Sequence, residues 1–165
     1  MKGQNSTIKG SGNTALGNNN LVLGNNNNNT GSHNTIKGEM NNAAGDNNTL
    51  DGRINNVMGY NNNIKGDINT VIGDSNAVKG NENKILGGQN NVEGSTNILK
   101  GDSNNVKGSQ NLLQGSKTNI EGSYNAVNGN SNNVKGDFNT AIGSENTLAG
   151  NKNQVLGSQN NVKGN

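Results

Sequence analysis

The chain has 165 residues, a net charge of +2, 26% hydrophobic and 2% aromatic residues, and no cysteine or proline. That is long enough for one domain, taken as residues 1–165, but too poor in apolar side chains for an ordinary globular core. The composition excludes a disulfide framework and a thiolate metal site, and the small positive excess is no polyanion-binding signature.

The N-terminal stretch MKGQNSTIKG enters a repeat at once. It has no apolar signal segment, and no run in the chain approaches the ~18 apolar residues of a membrane helix. Membrane insertion is therefore not expected. The chain reads as either cytosolic or the mature form of a secreted protein. From Gly3 onward glycine recurs every seventh residue through Gly164, and only Gly12 and Gly88 fall outside that phase. The unit is G-x-x-N-x-Φ-x, with Φ aliphatic. Ser6 and Thr118 replace the Asn, and Asn29, inside the run NNNNN at 25–29, replaces the aliphatic.

A helical heptad is excluded. It needs two apolar positions per seven, and a Gly in every heptad costs about 1 kcal/mol in a helix. The segment N-x-Φ-x instead alternates as a short strand, with Asn and the aliphatic facing inward. Gly-x-x supplies the turn, with glycine taking the positive φ. Two units make a flattened coil of fourteen residues, and coils stack with parallel strand pairing at ~4.8 Å. The expected fold is an all-β, parallel β-roll solenoid. Aliphatic columns and Asn amide ladders line its inside, and about twelve coils give a rod of roughly 55 Å.

Splitting alternate units onto opposite faces separates two outer walls. One face carries, in chain order, Lys9, Leu23, Lys37, Asp51, Lys65, Lys79, Glu93, Lys107, Glu121, Lys135, Ala149 and Lys163 at the seventh position. From Lys79 to Lys135 the signs alternate, as in a salt ladder between stacked coils. Interspersed acids and scarce aromatics speak against nucleic acid, and none is expected as a partner. The other face carries Leu16, Thr30, Ala44, Met58, Ile72, Leu86, Lys100, Gln114, Asn128, Ile142 and Leu156. Its fifth position adds Thr14, Thr70, Ile98, Leu112, Ala126 and Thr140. The turns leading into it carry Met40, Ile54, Ile68, Tyr124 and Phe138. An exposed apolar stripe of this kind is a contact surface.

The units NNVKG (104–108, 132–136, 160–164), NTVIG (69–73) and NAVKG (76–80) spell x-x-N-x-V-x-G, a pattern that runs from Asn13 to Gly164. This resembles the grass antifreeze and ice-recrystallisation-inhibition proteins. The resemblance implies a left-handed β-roll that binds ice through one flat Thr-, Ser- and Val-bearing face. The pairs that best match such an ice face are Thr14/Leu16, Thr70/Ile72 and Thr140/Ile142, and the outward Met58, Leu86 and Leu156 complete the expected binding face. Thr7, Thr35, Thr49 and Thr147 fall on the charged face. Lys84, Lys100, Gln114 and Gln154 interrupt the apolar one, which implies recrystallisation inhibition rather than strong freezing-point depression. The repeat is also similar to the heads of trimeric autotransporter adhesins, with Asn for Ser and Val for Ala. That second resemblance implies self-association of identical chains through the same apolar face, as a lateral oligomer or filament.

No catalytic constellation emerges, and the expectation is a non-enzyme without cofactor or metal. His33 is the single histidine and stands in a turn. Asp46, Asp67, Asp74, Asp102 and Asp137 each follow a turn glycine, where Asp is an ordinary turn residue. Glycines at constant sevens serve turns rather than phosphate loops. Asn5, Asn28 and Asn47 stand in N-x-S/T sequons, which matter only in a secreted eukaryotic chain.

Overall fold

A computed structural model describes residues 3–164. Each N-x-Φ-x segment forms a three-residue strand, extended to five residues at Leu21–Asn25, Thr35–Glu39 and Thr49–Arg53. Alternate strands separate into a twelve-stranded and an eleven-stranded sheet. Pairing within each sheet is parallel and offset by one fourteen-residue coil, so Val78 lies between Ile64 and Val92, and Val71 between Val57 and Ile85. The architecture is the expected all-β solenoid, with no helix among the described residues.

The aliphatic position of every unit is enclosed between the sheets. Val22, Ile36, Leu50 and Ile64 begin one buried column, and Val57, Val71, Ile85 and Leu99 belong to the other. Ile8 and Val162, in the outermost strands of the larger sheet, are only partly buried. One side chain per strand is a thin core, so the polar inside of the turns has to be satisfied as well.

The fourth-position asparagines do this. Asn41 is buried, and its amide nitrogen donates to Asn27 Oδ1 at 3.1 Å and to the Gly52 carbonyl at 2.7 Å. Its Oδ1 in turn accepts from the backbone N–H of Asn55 at 3.0 Å and from the Asn55 amide at 3.1 Å. The same set recurs along most of both turn edges; Asn34 gives its second amide hydrogen bond to Asn29, and Asn48 and Asn146 keep only the glycine carbonyl. The glycine is part of this arrangement. Gly38 has φ 123°, and a Cβ there would collide with the Gly52 carbonyl oxygen that receives the Asn41 amide.

Positive φ is not confined to glycine, contrary to the simple turn reading of the sequence. The residue two after each turn glycine also lies in the left-handed region, including Ile54 at 60° and Ile68 at 62°. A left-handed conformation costs an L-residue about 1–2 kcal/mol, and a β-branched residue there is a genuine outlier. The register between coils enforces it: the Ile54 N–H donates to the Glu39 carbonyl at 3.0 Å and the Ile68 N–H to the Arg53 carbonyl at 2.9 Å.

Of the three units that depart from the rule, the two inside the rod mark weak points. Asn29 is fully buried in the aliphatic column between Ala15 and Ala43. Its Oδ1 accepts from Asn34 at 2.9 Å, but its amide nitrogen has no hydrogen-bond partner. Thr118 replaces a ladder Asn and reaches the Gly129 carbonyl only at 3.5 Å. Asn29→Val is expected to raise stability by about 1–3 kcal/mol, because it removes an orphaned buried donor. The Asn34 amide keeps the Gly45 carbonyl at 2.7 Å. Thr118→Asn should add about 1 kcal/mol by closing the ladder. Urea unfolding of both variants checks this, and a lower midpoint for either would contradict the ladder accounting.

Candidate functional site

Strands of this kind turn their first and third residues outward, so each sheet presents two parallel columns to solvent. The columns are set by the register and contain one residue per coil. On the smaller sheet Thr14, Leu16, Met58, Thr70, Ile72, Leu86, Thr140, Ile142 and Leu156 all lie outward. Thr70 and Thr140 are half-buried between neighbours, whereas Leu156 is 72% exposed.

The column-mates of these residues decide how continuous the face is. Thr70 pairs with Asn56 on one side and Lys84 on the other, and Ile72 lies between Met58 and Leu86. Thr140 pairs with Ala126 and Gln154, and Ile142 with Asn128 and Leu156. The predicted residues therefore do not form one array. The longest uncharged stretch covers the strands from Thr14–Leu16 to Thr70–Ile72. A second stretch covers Thr140–Ile142, and Lys84 and Lys100 lie between the two.

Within the first stretch sequence reasoning missed three residues. Asn28 donates its amide to Asn42 Oδ1 at 3.0 Å, and Asn42 to Asn56 Oδ1 at 2.9 Å. This outer amide ladder holds the fifth-position column straight between Thr14 and Thr70. Its only sequence signal is Asn at a spacing of fourteen outside the inner ladder. Thr30 and Ala44 complete the neighbouring column between Leu16 and Met58.

The turns that lead into this sheet carry Met40, Ile54, Ile68, Tyr124 and Phe138, each about half exposed and each at positive φ. The Tyr124 and Phe138 rings stack with centroids 4.7 Å apart and an interplanar angle of 6°. Farther along the sheet, small Ala126 leaves a shallow depression of about 200 Å³, lined by Leu112, Gln114, Val127, Thr140 and Ile142 among others.

The larger sheet has a different wall. Lys79 Nζ lies 2.9 Å from Glu93 Oε1, and Lys135 Nζ 3.2 Å from Glu121 Oε2. Its fifth-position column is an amide ladder, with Asn91 donating to Asn105 at 3.1 Å, Asn105 to Asn119 at 2.8 Å and Asn119 to Asn133 at 3.1 Å. The hydrogen bond and charge of Lys79, with a smaller contribution from Lys107, hold the Glu93 carboxyl below the ordinary glutamate value.

The turn carboxylates are occupied in the scaffold. Asp46, Asp67, Asp74, Asp102 and Asp137 each accept the backbone N–H of the corresponding residue one coil earlier, at 2.6–2.8 Å. This is a more specific role than that of a generic turn former. His33 Nε2 lies 3.1 Å from Asn19 Nδ2. Among the described residues, no three His, Cys, Asp or Glu side chains converge as metal ligands. No helix among them is long and apolar enough to cross a membrane.

The sequence matches the model of the grass antifreeze beta roll over residues 52–143 and 72–165, more than half of the chain. The chain belongs to the grass antifreeze β-roll family. No individual curated protein matches it at a significant level. Membership of the grass antifreeze β-roll family supports an ice-binding role in general, and the family and its solenoid are non-enzymatic in kind.

The ladder on the charged sheet gives a titration test. A depressed carboxyl pKa stabilises the fold above the ordinary glutamate value, and that contribution is lost as pH falls through the folded-state pKa. Lys79→Gln is expected to move the Glu93 carboxyl titration, followed by NMR, back up toward its ordinary value. An unchanged midpoint would show that the Lys79 contact does not persist in solution.

Proposed function

We propose that this β-roll binds ice through the smaller sheet, using the outward columns that run through Thr14, Leu16, Met58, Thr70 and Ile72. Leu86, Thr140, Ile142 and Leu156 extend the same wall. The observation that carries this reading is the uncharged stretch from Thr14 to Ile72. It presents hydroxyl, amide and aliphatic groups in two straight columns, one residue of each per coil.

The physical argument is one of spacing and hydration. Parallel pairing repeats outward groups at ~4.8 Å along the rod, and the two columns stand ~7 Å apart across a strand. A rigid array of this kind holds water in an ordered layer. Aliphatic neighbours let that layer bond to itself rather than to the protein. An ammonium group orders water around its own charge, so Lys84 and Lys100 divide the face. This supports modest affinity and inhibition of recrystallisation over deep freezing-point depression.

The same exposed aliphatic residues support a second reading, association of identical chains through this sheet. The specific observation behind it is the Ala126 depression beside protruding Leu112, which is 53% exposed.

Ice-grain coarsening at micromolar protein, run beside size exclusion, separates the two readings. A sample free of large assemblies that arrests coarsening is the expected result. Normal coarsening, with the sample eluting as large assemblies, would end the ice-binding reading. Ile72→Lys with Ile142→Lys should raise the concentration needed for arrest by tenfold or more while the β-rich circular dichroism spectrum is retained. Thr35→Lys with Thr49→Lys, on the opposite sheet, should leave arrest unchanged. The reverse pattern would assign ice binding to the wrong sheet.

A further inference from the structure

The charged sheet has a feature that a simple solvated wall does not require. Its seventh-position column reads plus, minus, plus, minus, plus from Lys79 to Lys135. Both acids are drawn outward, Glu93 to Lys79 and Glu121 to Lys135. Lys107, between them, has no carboxylate within 4.0 Å among the described residues. The adjoining column, Asn91 to Asn133, is an outward amide ladder whose members can both donate and accept.

We infer that this sheet docks onto the same sheet of a second copy of the chain, with the two rods antiparallel and Lys107 of each opposite Glu121 of the other. The geometry follows from symmetry. A two-fold axis along the strand direction reverses the rod but keeps each strand's own direction. Seventh-position residues therefore face seventh-position residues, and Asn column faces Asn column. Placed between the coils of Lys107 and Glu121, the axis sets Lys107 against Glu121 and Glu93 against Lys135. Each pair occurs twice, so four successive coils meet with opposite charges. In the adjoining column Asn105 meets Asn119 and Asn91 meets Asn133. Each charge then has opposite charges beside it in its own column and across the interface, and Lys107 gains the carboxylate it lacks within one chain.

Neighbouring registers fit less well. Moving the axis one coil toward the N-terminus keeps two opposed pairs but sets Lys65 against Lys135. Moving it one coil the other way keeps Glu121 against Lys135 and Glu93 against Lys163, but sets Lys107 against Ala149 between them and shortens the overlap to six coils. The chosen register overlaps eight coils, with Lys79 against Ala149 and Lys65 against Lys163 outside the central four. Eight coils at ~4.8 Å and a face ~10 Å wide cover roughly 400 Å² on each copy, about half the area per partner of a standard protein interface. The dimer is therefore weak. Its charges set register and salt dependence more than affinity. It leaves both apolar sheets facing outward in opposite directions, and it does not depend on what those sheets bind.

Sedimentation equilibrium of the full chain, from 10 µM to 1 mM protein, tests this without ice. A dimer is expected in 20 mM salt, with dissociation at least tenfold stronger in 500 mM salt. Lys107→Glu should weaken the dimer at least tenfold. Lys107→Glu combined with Glu121→Lys should restore it. The double variant places like charges side by side within each chain, yet keeps every pair across the interface opposite, so recovery cannot come from the intrachain ladder. Circular dichroism should show the same β-rich spectrum for all three proteins. A monomer at 1 mM in low salt, a dimer indifferent to Lys107→Glu, or a double variant no better than the single one would each overturn the proposal.

Discussion

The structure depends on one repeated hydrogen bond, from a buried asparagine amide to the carbonyl of a turn glycine on the next coil. At Asn41 and Gly52 the bond measures 2.7 Å, and the same carbonyl is what forbids a Cβ at Gly38. Asparagine and glycine are thus two halves of one contact. Either alone would be poor material for ordered structure, since the amide would be buried without partners and the glycine would lose entropy for nothing. Together they let coils approach to sheet spacing and satisfy the inside of every turn. The aliphatic columns then close a core one side chain deep. A chain with 26% hydrophobic residues can fold this way because each coil makes the same few contacts with its neighbours.

This arrangement frees the outer walls. Inward positions repeat almost without exception, whereas outward positions have only to tolerate a strand and each other. The two sheets have used that freedom differently. The smaller one collects threonine, amides and aliphatic side chains over its first coils. The larger one alternates lysine and glutamate beside an amide ladder. Even the turns differ: left-handed positions leading into the smaller sheet hold Ile54, Ile68, Tyr124 and Phe138, where Asn or Gly would cost less strain. These apolar side chains stand half exposed beside the outward columns of the smaller sheet. A back-to-back dimer would add to this division, giving one assembly two outward-facing apolar walls.

Much of this was legible in the residues. Val106 lies indoors and Lys107 outdoors, as alternation about a fourteen-residue coil requires. Asn104 is buried in its ladder, and Ile72 and Ile142 point to solvent. Other features were not legible there. The role of Asp67, whose carboxylate receives the Arg53 N–H, depends on a backbone group fourteen residues away, and a turn-forming Asp looks the same without it. The positive φ at Ile54 contradicts that residue's own preference and is imposed by coil register. The Asn28–Asn42–Asn56 ladder was hidden because these residues sit in a chain where asparagine is everywhere.

By itself, then, the sequence determined the solenoid, its coil length, its inner columns and the partition of residues between two walls. It could do so because a strict period of seven allows one way of burying every aliphatic and every fourth-position amide together. Only the tertiary structure decided which outward residues stand next to each other and which are already engaged. It joined Asn28, Asn42 and Asn56 in an outer amide ladder, and left Lys107 without a carboxylate while its neighbours paired outward. The reason is physical. A period specifies position along the chain, whereas hydrogen bonds and ion pairs depend on which way each side chain leans across the 4.8 Å between coils.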